Sequence, residues 1–167
     1  MSDPKLPRFI FGLLVLFAVV YFSRLYAQLP EVMASHFNGK GVPNGWMPKS
    51  DFFKALLPLG LLIAIIAFVV PALMRILPPS MINLPNKNYW LAPERRAETV
   101  QYMEGAFAWF GCAVLALLTF TFYIAAKANL HPGRGFDSSA MMLALGAFFA
   151  FVLFFVIRIT AHFFRAK

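Results

Sequence analysis

Long apolar runs alternate with short polar segments along this chain. Three runs without Asp, Glu, Lys or Arg are long enough as helices to cross a bilayer core, which takes about 20 apolar residues: 55–74, 105–126 and 138–157. A fourth run, 9–23, is shorter, but its helix can extend from Leu6 to Gln28 if Arg24 reaches the headgroups. The pattern predicts an all-α polytopic membrane protein with four transmembrane helices.

We expect a single membrane domain over residues 1–167, and the polar segments define three loops. The predicted spans are 6–28, 53–74, 103–126 and 138–160, and the loops between them are 29–50, 75–102 and 127–137. Pro58 and Pro71 predict kinks in the second span. Pro93 is expected as the first residue of a helix that runs into the third span, and Ser50 and Asp137 are expected as helix caps.

The first run has two interpretations, a retained anchor and a cleaved signal peptide. Lys5 and Arg8 precede its apolar core, as they would in either case. Leu25 and Ala27 are the best pair for a cleavage site, and Leu25 is too large for one. The retained anchor is therefore favoured.

The basic residues predict the orientation. Nine Lys and Arg residues lie on the side of the N-terminus, the middle loop and the C-terminus, against six on the other side. Because cytoplasmic loops carry the excess, both termini are predicted to be cytoplasmic and the 29–50 loop to lie outside the cell. The net charge of +8 is spread over separate polar segments, which favours lipid headgroups as the partner and not nucleic acid.

The 29–50 loop is predicted to have a defined shape and to be the binding surface. It carries two Asn-Gly pairs, which favour turns, and residues 31–37 suit an extended piece. His36 could bind a metal or move protons if the first and third loops pack together. Its candidate partners would be Glu31, Asp51, His131 and Asp137; the alternative, which spacing favours, is a histidine bonded within its own turn.

The middle loop offers a second set of candidate binding residues. Arg95 and Arg96 could clamp an anionic group such as a lipid phosphate. The favoured alternative is a positive anchor in which Arg95 pairs with Glu98 on the next helical turn. Tyr89 and Trp90 are interpreted first as interface anchors and second as stacking surfaces for a ligand.

The predicted spans carry little that could do chemistry. Ionisable residues are almost absent at mid-depth, which argues against transport through a monomer and against catalysis inside the membrane. The single Cys112 excludes an internal disulfide and two-cysteine metal motifs. Two small-residue spacings could pack helices closely: Gly60 with Ala64, and Gly146 with Ala150. No cofactor is expected.

Two motifs resemble a family. In the first loop they are Leu29–Pro30, His36–Phe37–Asn38, Gly41 and Lys49, and in the middle loop the phrase NLPNKNYWLAPERRAET at 83–99. The chain resembles a bacterial membrane domain of unknown function that also forms the N-terminal part of SdpI-type toxin-immunity proteins, and within it the short stand-alone members. For SdpI-type proteins the resemblance implies protection against a secreted toxin and, in some, capture of a repressor at the membrane.

Three functional hypotheses follow for a protein of the bacterial inner membrane. The first is a non-enzymatic protein that binds a peptide, toxin or envelope partner through the 29–50 loop. The second is an accessory or assembly subunit of a larger membrane complex, with a membrane-protein partner or a second copy of the chain. The third is a metal-dependent envelope enzyme centred on His36. The candidate binding residues are His36, Phe37, Asn38, Gly41, Trp46, Lys49, Tyr89, Trp90, Arg95 and Arg96.

Overall fold

The computed structural model describes residues 3–165, which form four long helices and one β-hairpin. The elements in chain order are α1 (Lys5–Tyr26), β1 (Val32–Phe37), β2 (Pro43–Pro48), α2 (Lys49–Leu73), a 3₁₀ turn (Pro79–Met81), α3 (Lys87–Trp90), α4 (Pro93–Leu130) and α5 (Ser138–Phe164). Within 3–165, four helices are long and apolar enough to cross a membrane, namely α1, α2, α4 and α5. The prediction of four such helices is confirmed.

The description of the fold as all-α is wrong for the first loop. Its two strands pair antiparallel, with Val32 opposite Pro48 and Ala34 opposite Trp46. The extended piece expected at 31–37 is β1, but β2 was not predicted. Its sequence, PNGWMP, is rich in residues that are depleted in strands, so local preference gives no signal for it. Pairing with β1 makes it a strand.

Helix α4 is the hub of the fold. It has 38 residues, about 57 Å at helical rise, which exceeds a bilayer core of about 30 Å. The other three long helices pack on it. Small buried side chains on α4 allow the close approach: Gly105, Ala106, Ala108, Gly111, Ala125, Ala126 and Ala128.

The close packing of α2 on α4 uses a different small-residue face from the two predicted. A Cβ placed on Gly111 would lie 2.6 Å from the Cβ of Ala67, which is fully buried on α2. A Cβ on Gly60 or Gly146 would meet no atom within 4 Å. The spacings at Gly60 and Gly146 therefore do not mediate packing within the described chain.

Helix α2, in which two kinks were predicted, has an irregular hydrogen-bond pattern near both of its prolines. Pro58 cannot donate to the carbonyl four residues earlier, and the helix is interrupted at Ala55. Before Pro71, residues Ile65–Val69 form a π-helical turn, and the Val70 N–H donates to the carbonyl of Ile65. The wider turn places Ala67 against α4.

The expected helix starts are right in two cases and wrong in one. Helix α4 begins at Pro93 and runs unbroken to Leu130. The Asp137 carboxylate accepts the N–H of Ala140 and caps α5. Ser50 does not cap α2, because the helix already begins at Lys49 and no side chain caps it.

Three buried clusters lie along the helix bundle. The hairpin end, defined here by the cluster around Phe22, Met33, Phe52 and Ala126, also packs against Phe37 and Phe136. The middle cluster is formed by Phe11, Ile63, Cys112 and Leu115. The opposite end, called the charged end, has an apolar cluster that includes Val100, Tyr102 and Phe163 and, beside it, the ion pairs of Glu104.

Candidate binding site at the hairpin end

Lys49 fixes the base of the hairpin. Its side chain is only 8% exposed, and its ammonium donates to the carbonyl of Leu29 at 3.2 Å and to the Glu31 carboxylate at 2.9 Å. The same ammonium lies 4.6 Å from the ring centroid of Tyr26. Lys49 was predicted as a binding residue, and here it ties the start of α2 to the end of α1.

Asn129 attaches the hairpin to α4. Its side-chain oxygen accepts the N–H of Ala34 at 2.7 Å, and its amide nitrogen donates to the Ala34 carbonyl at 3.0 Å. The amide therefore hydrogen-bonds to both backbone polar groups of Ala34, as a neighbouring strand would, at the edge of β1 that faces α4. Sequence analysis did not select Asn129, although it is a lone amide at the end of a span.

The turn of the hairpin docks onto the third loop. The Asn38 carboxamide oxygen accepts the N–H groups of Lys40 and Val42, both at 3.0 Å. Gly41 has φ +77°, and its carbonyl accepts the N–H of Phe136 at 2.9 Å. Asn38 and Gly41 therefore shape the turn. The first and third loops do pack together, which was the condition set for a site around His36.

A cleft of about 450 Å³ lies beneath the hairpin, between β1, α4 and α5. Phe37 forms part of its wall and stacks on Phe136, with ring centroids 4.9 Å apart. His36 and Asn38 also line it. The remaining walls are largely apolar and include Phe52, Thr121, Phe122, Ala125, Met141 and Met142. Such a cleft accepts an apolar group, with His36 available as a hydrogen-bonding partner.

His36 is exposed, and its Nδ1 lies 3.0 Å from the hydroxyl of Ser35. Within residues 3–165, no three His, Cys, Asp or Glu residues are placed so that they could hold a metal ion together. The four candidate partners, Glu31, Asp51, His131 and Asp137, therefore do not form a metal site with it. If Ser35 were a nucleophile with His36 as its base, a third group would have to orient the His36 ring. The hydrogen bonds of the described residues give His36 no such third group.

Trp46 is the aromatic residue of β2, and 63% of its surface is exposed. It lies opposite Ala34, whose backbone groups point toward Asn129 and away from β2. In an antiparallel pair of this type, the backbone groups of Trp46 point to the other edge of the hairpin. That edge is short because Pro43 and Pro48 flank it.

The predicted binding residues of the middle loop serve as contacts within the charged end. Arg96 donates through Nε and Nη2 to the carbonyls of Met74 and Leu77, just after α2, so this part of its guanidinium is engaged within the fold. The guanidinium carbon of Arg95 lies 4.0 Å from the ring centroid of Tyr89. The described residues show no Arg95–Glu98 ion pair.

Trp90 joins the end of α5 to the middle loop. Its indole N–H donates to the carbonyl of Phe163 at 3.0 Å, and the Asn86 amide donates to the same oxygen at 3.0 Å. The Trp90 ring stacks on His162, with centroids 4.9 Å apart. Trp90 is therefore a packing residue of the fold and not an open stacking surface.

Comparison with known proteins matches part of the chain to a family model. No curated protein and no solved structure matches the chain. Residues 13–63 match the family model described as a domain of unknown function, DUF1648. This region covers most of α1, the hairpin and the first part of α2, but not the phrase at 83–99. Over residues 13–63, which are less than half of the chain, this protein is thus similar to a domain whose function is unknown.

Proposed function

We propose that this protein is a non-enzymatic, multi-pass protein of a bacterial cytoplasmic membrane that binds a peptide, toxin or envelope partner through the hairpin end. The cleft beneath the hairpin is the observation that carries the proposal. Its walls are apolar and aromatic, and a few polar groups lie at its border. That composition is typical of sites that take an apolar side chain and orient it by a hydrogen bond.

The braced hairpin supports the same function. Lys49, Asn129 and Gly41 attach it at its base, its edge and its turn. A surface that is already ordered loses little conformational entropy when a partner binds. Exposed Trp46 adds an aromatic contact of the kind that dominates many interfaces.

The charge distribution supports an outward-facing hairpin, with both termini in the cytoplasm. Fusion of alkaline phosphatase after Val42 is expected to give activity outside the cytoplasm, while a fusion after Lys167 is expected to be inactive. The opposite result would place the hairpin inside the cell and remove extracellular partners from consideration.

Binding can be tested with the purified protein in lipid nanodiscs and a random peptide library. Peptides with apolar or aromatic residues are expected to be enriched. Met142→Trp, which fills the rim of the cleft, and His36→Ala are both expected to weaken their binding. Leu143→Trp is the matched control, because Leu143 is the next residue on α5 and does not line the cleft. Enriched peptides that bind all these variants equally would contradict the proposal.

A toxin as the partner can be tested separately. A strain that lacks the protein is challenged with peptide toxins secreted by competing bacteria, with the wild-type chain or Met142→Trp restored. Survival restored by the wild type and not by Met142→Trp would support immunity. Equal survival of all strains would remove toxins from the proposed partners.

The role of accessory subunit also has an observation in its favour. Gly146 and Ala150 are exposed on α5, and a Cβ on Gly146 meets no atom within 4 Å. This face could pack against another helix. Purification in mild detergent at native expression is the test: a protein of monomer mass in both the wild type and Gly146→Leu would exclude this role.

A further inference from the structure

Glu104 is the centre of an ion-pair cluster that sequence analysis did not select. Its side chain is only 3% exposed, and it lies near the start of the apolar part of α4. Arg75 donates to it through Nε at 2.8 Å and through Nη2 at 3.0 Å. Arg8 donates to it through Nη2 at 3.1 Å. Two arginines from α1 and from the end of α2 thus share one carboxylate.

The cluster carries more positive than negative charge. A cleft of about 640 Å³ opens beside it and is also lined by Lys5, Arg96 and Asp3. Arg96 donates to backbone carbonyls, and Asp3 accepts the backbone N–H of Lys5. Four basic and two acidic side chains border the cleft, so the sum of their formal charges is +2.

The arginines are not buried with their partner. The side chains of Arg8 and Arg75 are 46% and 62% exposed, and each guanidinium has five N–H donors, of which Glu104 takes one or two. Glu104 therefore holds the two guanidinium groups in place while other donors remain accessible. A fixed pair of guanidinium groups suits a phosphate.

The depth of the cluster matches that of lipid phosphates. Glu104 and Lys127 both lie on α4, about 34 Å apart at helical rise, close to the thickness of a bilayer core. Arg24 and Lys49 lie with Lys127 toward the hairpin end. If α4 spans the bilayer, the Glu104 cluster lies at one headgroup layer and these three basic residues lie at the other.

We propose that the cleft formed by Lys5, Arg8 and Arg75 around Glu104 binds the phosphate group of an anionic phospholipid. The membrane supplies this ligand at the depth of the cleft, and a free phosphate ion would have to compete with it. The binding would attach the ends of α1 and α2 to the headgroup layer. It is independent of the function proposed for the hairpin end.

The test is native mass spectrometry of the detergent-solubilised protein, titrated with phosphatidylglycerol, with phosphatidylcholine, or with inorganic phosphate. The wild type is expected to retain phosphatidylglycerol more strongly than phosphatidylcholine. Lys5→Gln and Arg75→Gln are each expected to weaken this retention about fivefold, the effect of one basic residue near an anionic lipid surface.

Lys54→Gln is the matched control, because it removes one positive charge at the opposite end of α2 and leaves the cleft unchanged. It is expected to bind phosphatidylglycerol as the wild type does. Lys5→Gln serves where Arg75→Gln fails to fold, since the Lys5 side chain does not take part in the ion pairs of Glu104. Equal retention by Lys5→Gln and Lys54→Gln would overturn the proposal. Displacement of the lipid by an equal concentration of inorganic phosphate would overturn the assignment to a phospholipid.

Discussion

The hairpin end and the charged end hold the same helices together by different means. At the hairpin end, neutral groups make most of the contacts: the Asn129 amide, the Gly41 carbonyl and stacked phenylalanine rings. At the charged end, Glu104 pairs with two arginines, and Arg96 donates to a carbonyl just after α2. Both ends satisfy buried polar groups. The hairpin end has one buried ammonium, that of Lys49, whereas the charged end has a buried carboxylate shared by two arginines.

The difference indicates which end is suited to bind what. The hairpin end leaves an apolar cleft with a histidine at its border, which suits part of a peptide or protein. The charged end leaves guanidinium donors exposed, which suits a phosphate. At the hairpin end, packing and neutral hydrogen bonds fix the backbone. At the charged end, the ion pairs with Glu104 fix the arginine side chains. Variants that affect one end and not the other can test this division.

The largest effect on stability is expected from Gly41→Ala at the hairpin end. A Cβ on Gly41 would lie 2.2 Å from the Phe136 carbonyl oxygen, and φ is +77°. Backbone strain alone costs about 1–3 kcal/mol, and the overlap adds to it, so we expect a loss of about 3 kcal/mol in the free energy of unfolding. Thermal unfolding in detergent measures it.

Gly39→Ala is the control for that variant, because a Cβ on Gly39 meets nothing within 4 Å. It is expected to change the free energy of unfolding by less than about 1 kcal/mol. Equal losses in the two variants would show that the Gly41–Phe136 contact does not secure the hairpin.

A smaller loss is expected from Glu104→Gln at the charged end. The substitution leaves two arginines without their carboxylate, which costs about 3–5 kcal/mol for a fully buried pair. Because both arginines are partly exposed, we expect about 2 kcal/mol. Glu98→Gln is the control at the same end, since Glu98 makes no ion pair among those of the described residues. A Glu104→Gln protein as stable as Glu98→Gln would mean that the cluster does not stabilise the fold.

The next effect is expected midway between the ends, from Gly111→Ala. The added methyl group would overlap the Ala67 methyl at 2.6 Å and separate α2 from α4. Overpacking of this kind costs about 1–3 kcal/mol, and because the helices can shift slightly we expect about 1 kcal/mol. Gly146→Ala has open space around it and is expected to be neutral or slightly stabilising, since alanine is the better helix former. The comparison would fail if Gly146→Ala were the more harmful of the two.

The smallest effect is expected from salt. Raising the salt concentration from 0.1 M to 1 M shortens the Debye length from about 10 Å to about 3 Å and weakens partly exposed charge pairs. The stability difference between the wild type and Glu104→Gln is therefore expected to shrink by a few tenths of a kcal/mol. The difference between the wild type and Gly41→Ala should stay constant, because no charge is involved. A change of the same size at both ends would contradict the division.

Sequence reasoning predicted the helices of this protein well. Runs of apolar residues near 20 in length leave little choice inside a bilayer, where every backbone group must be satisfied within a helix or a closed barrel. Pro93 and Asp137 act on their own helix ends, so their roles follow from local chemistry. The match over residues 13–63 supports the resemblance to a membrane domain of unknown function, and the link to SdpI-type proteins stays a prediction.

The candidate site was harder to predict, because its residues come from distant parts of the chain. Asn129 is 95 residues from Ala34, and Glu104 is 96 residues from Arg8. Arg96 and Lys49 were chosen for their chemical type, and their donors turn out to be directed at backbone carbonyls of neighbouring segments. Residue type predicts which bonds a side chain can make and does not predict which partner is near.

The sequence by itself determined the four apolar helices, their boundaries at Pro93 and Asp137, and a turn-rich loop between the first two. These features depend on backbone satisfaction and on local turn and cap chemistry, both of which act over a few residues. Tertiary structure alone decided that Pro43–Pro48 is a strand, that Gly111 meets Ala67, and that Arg8, Arg75 and Glu104 converge. Those contacts arise because α4 brings together segments that are far apart in the chain.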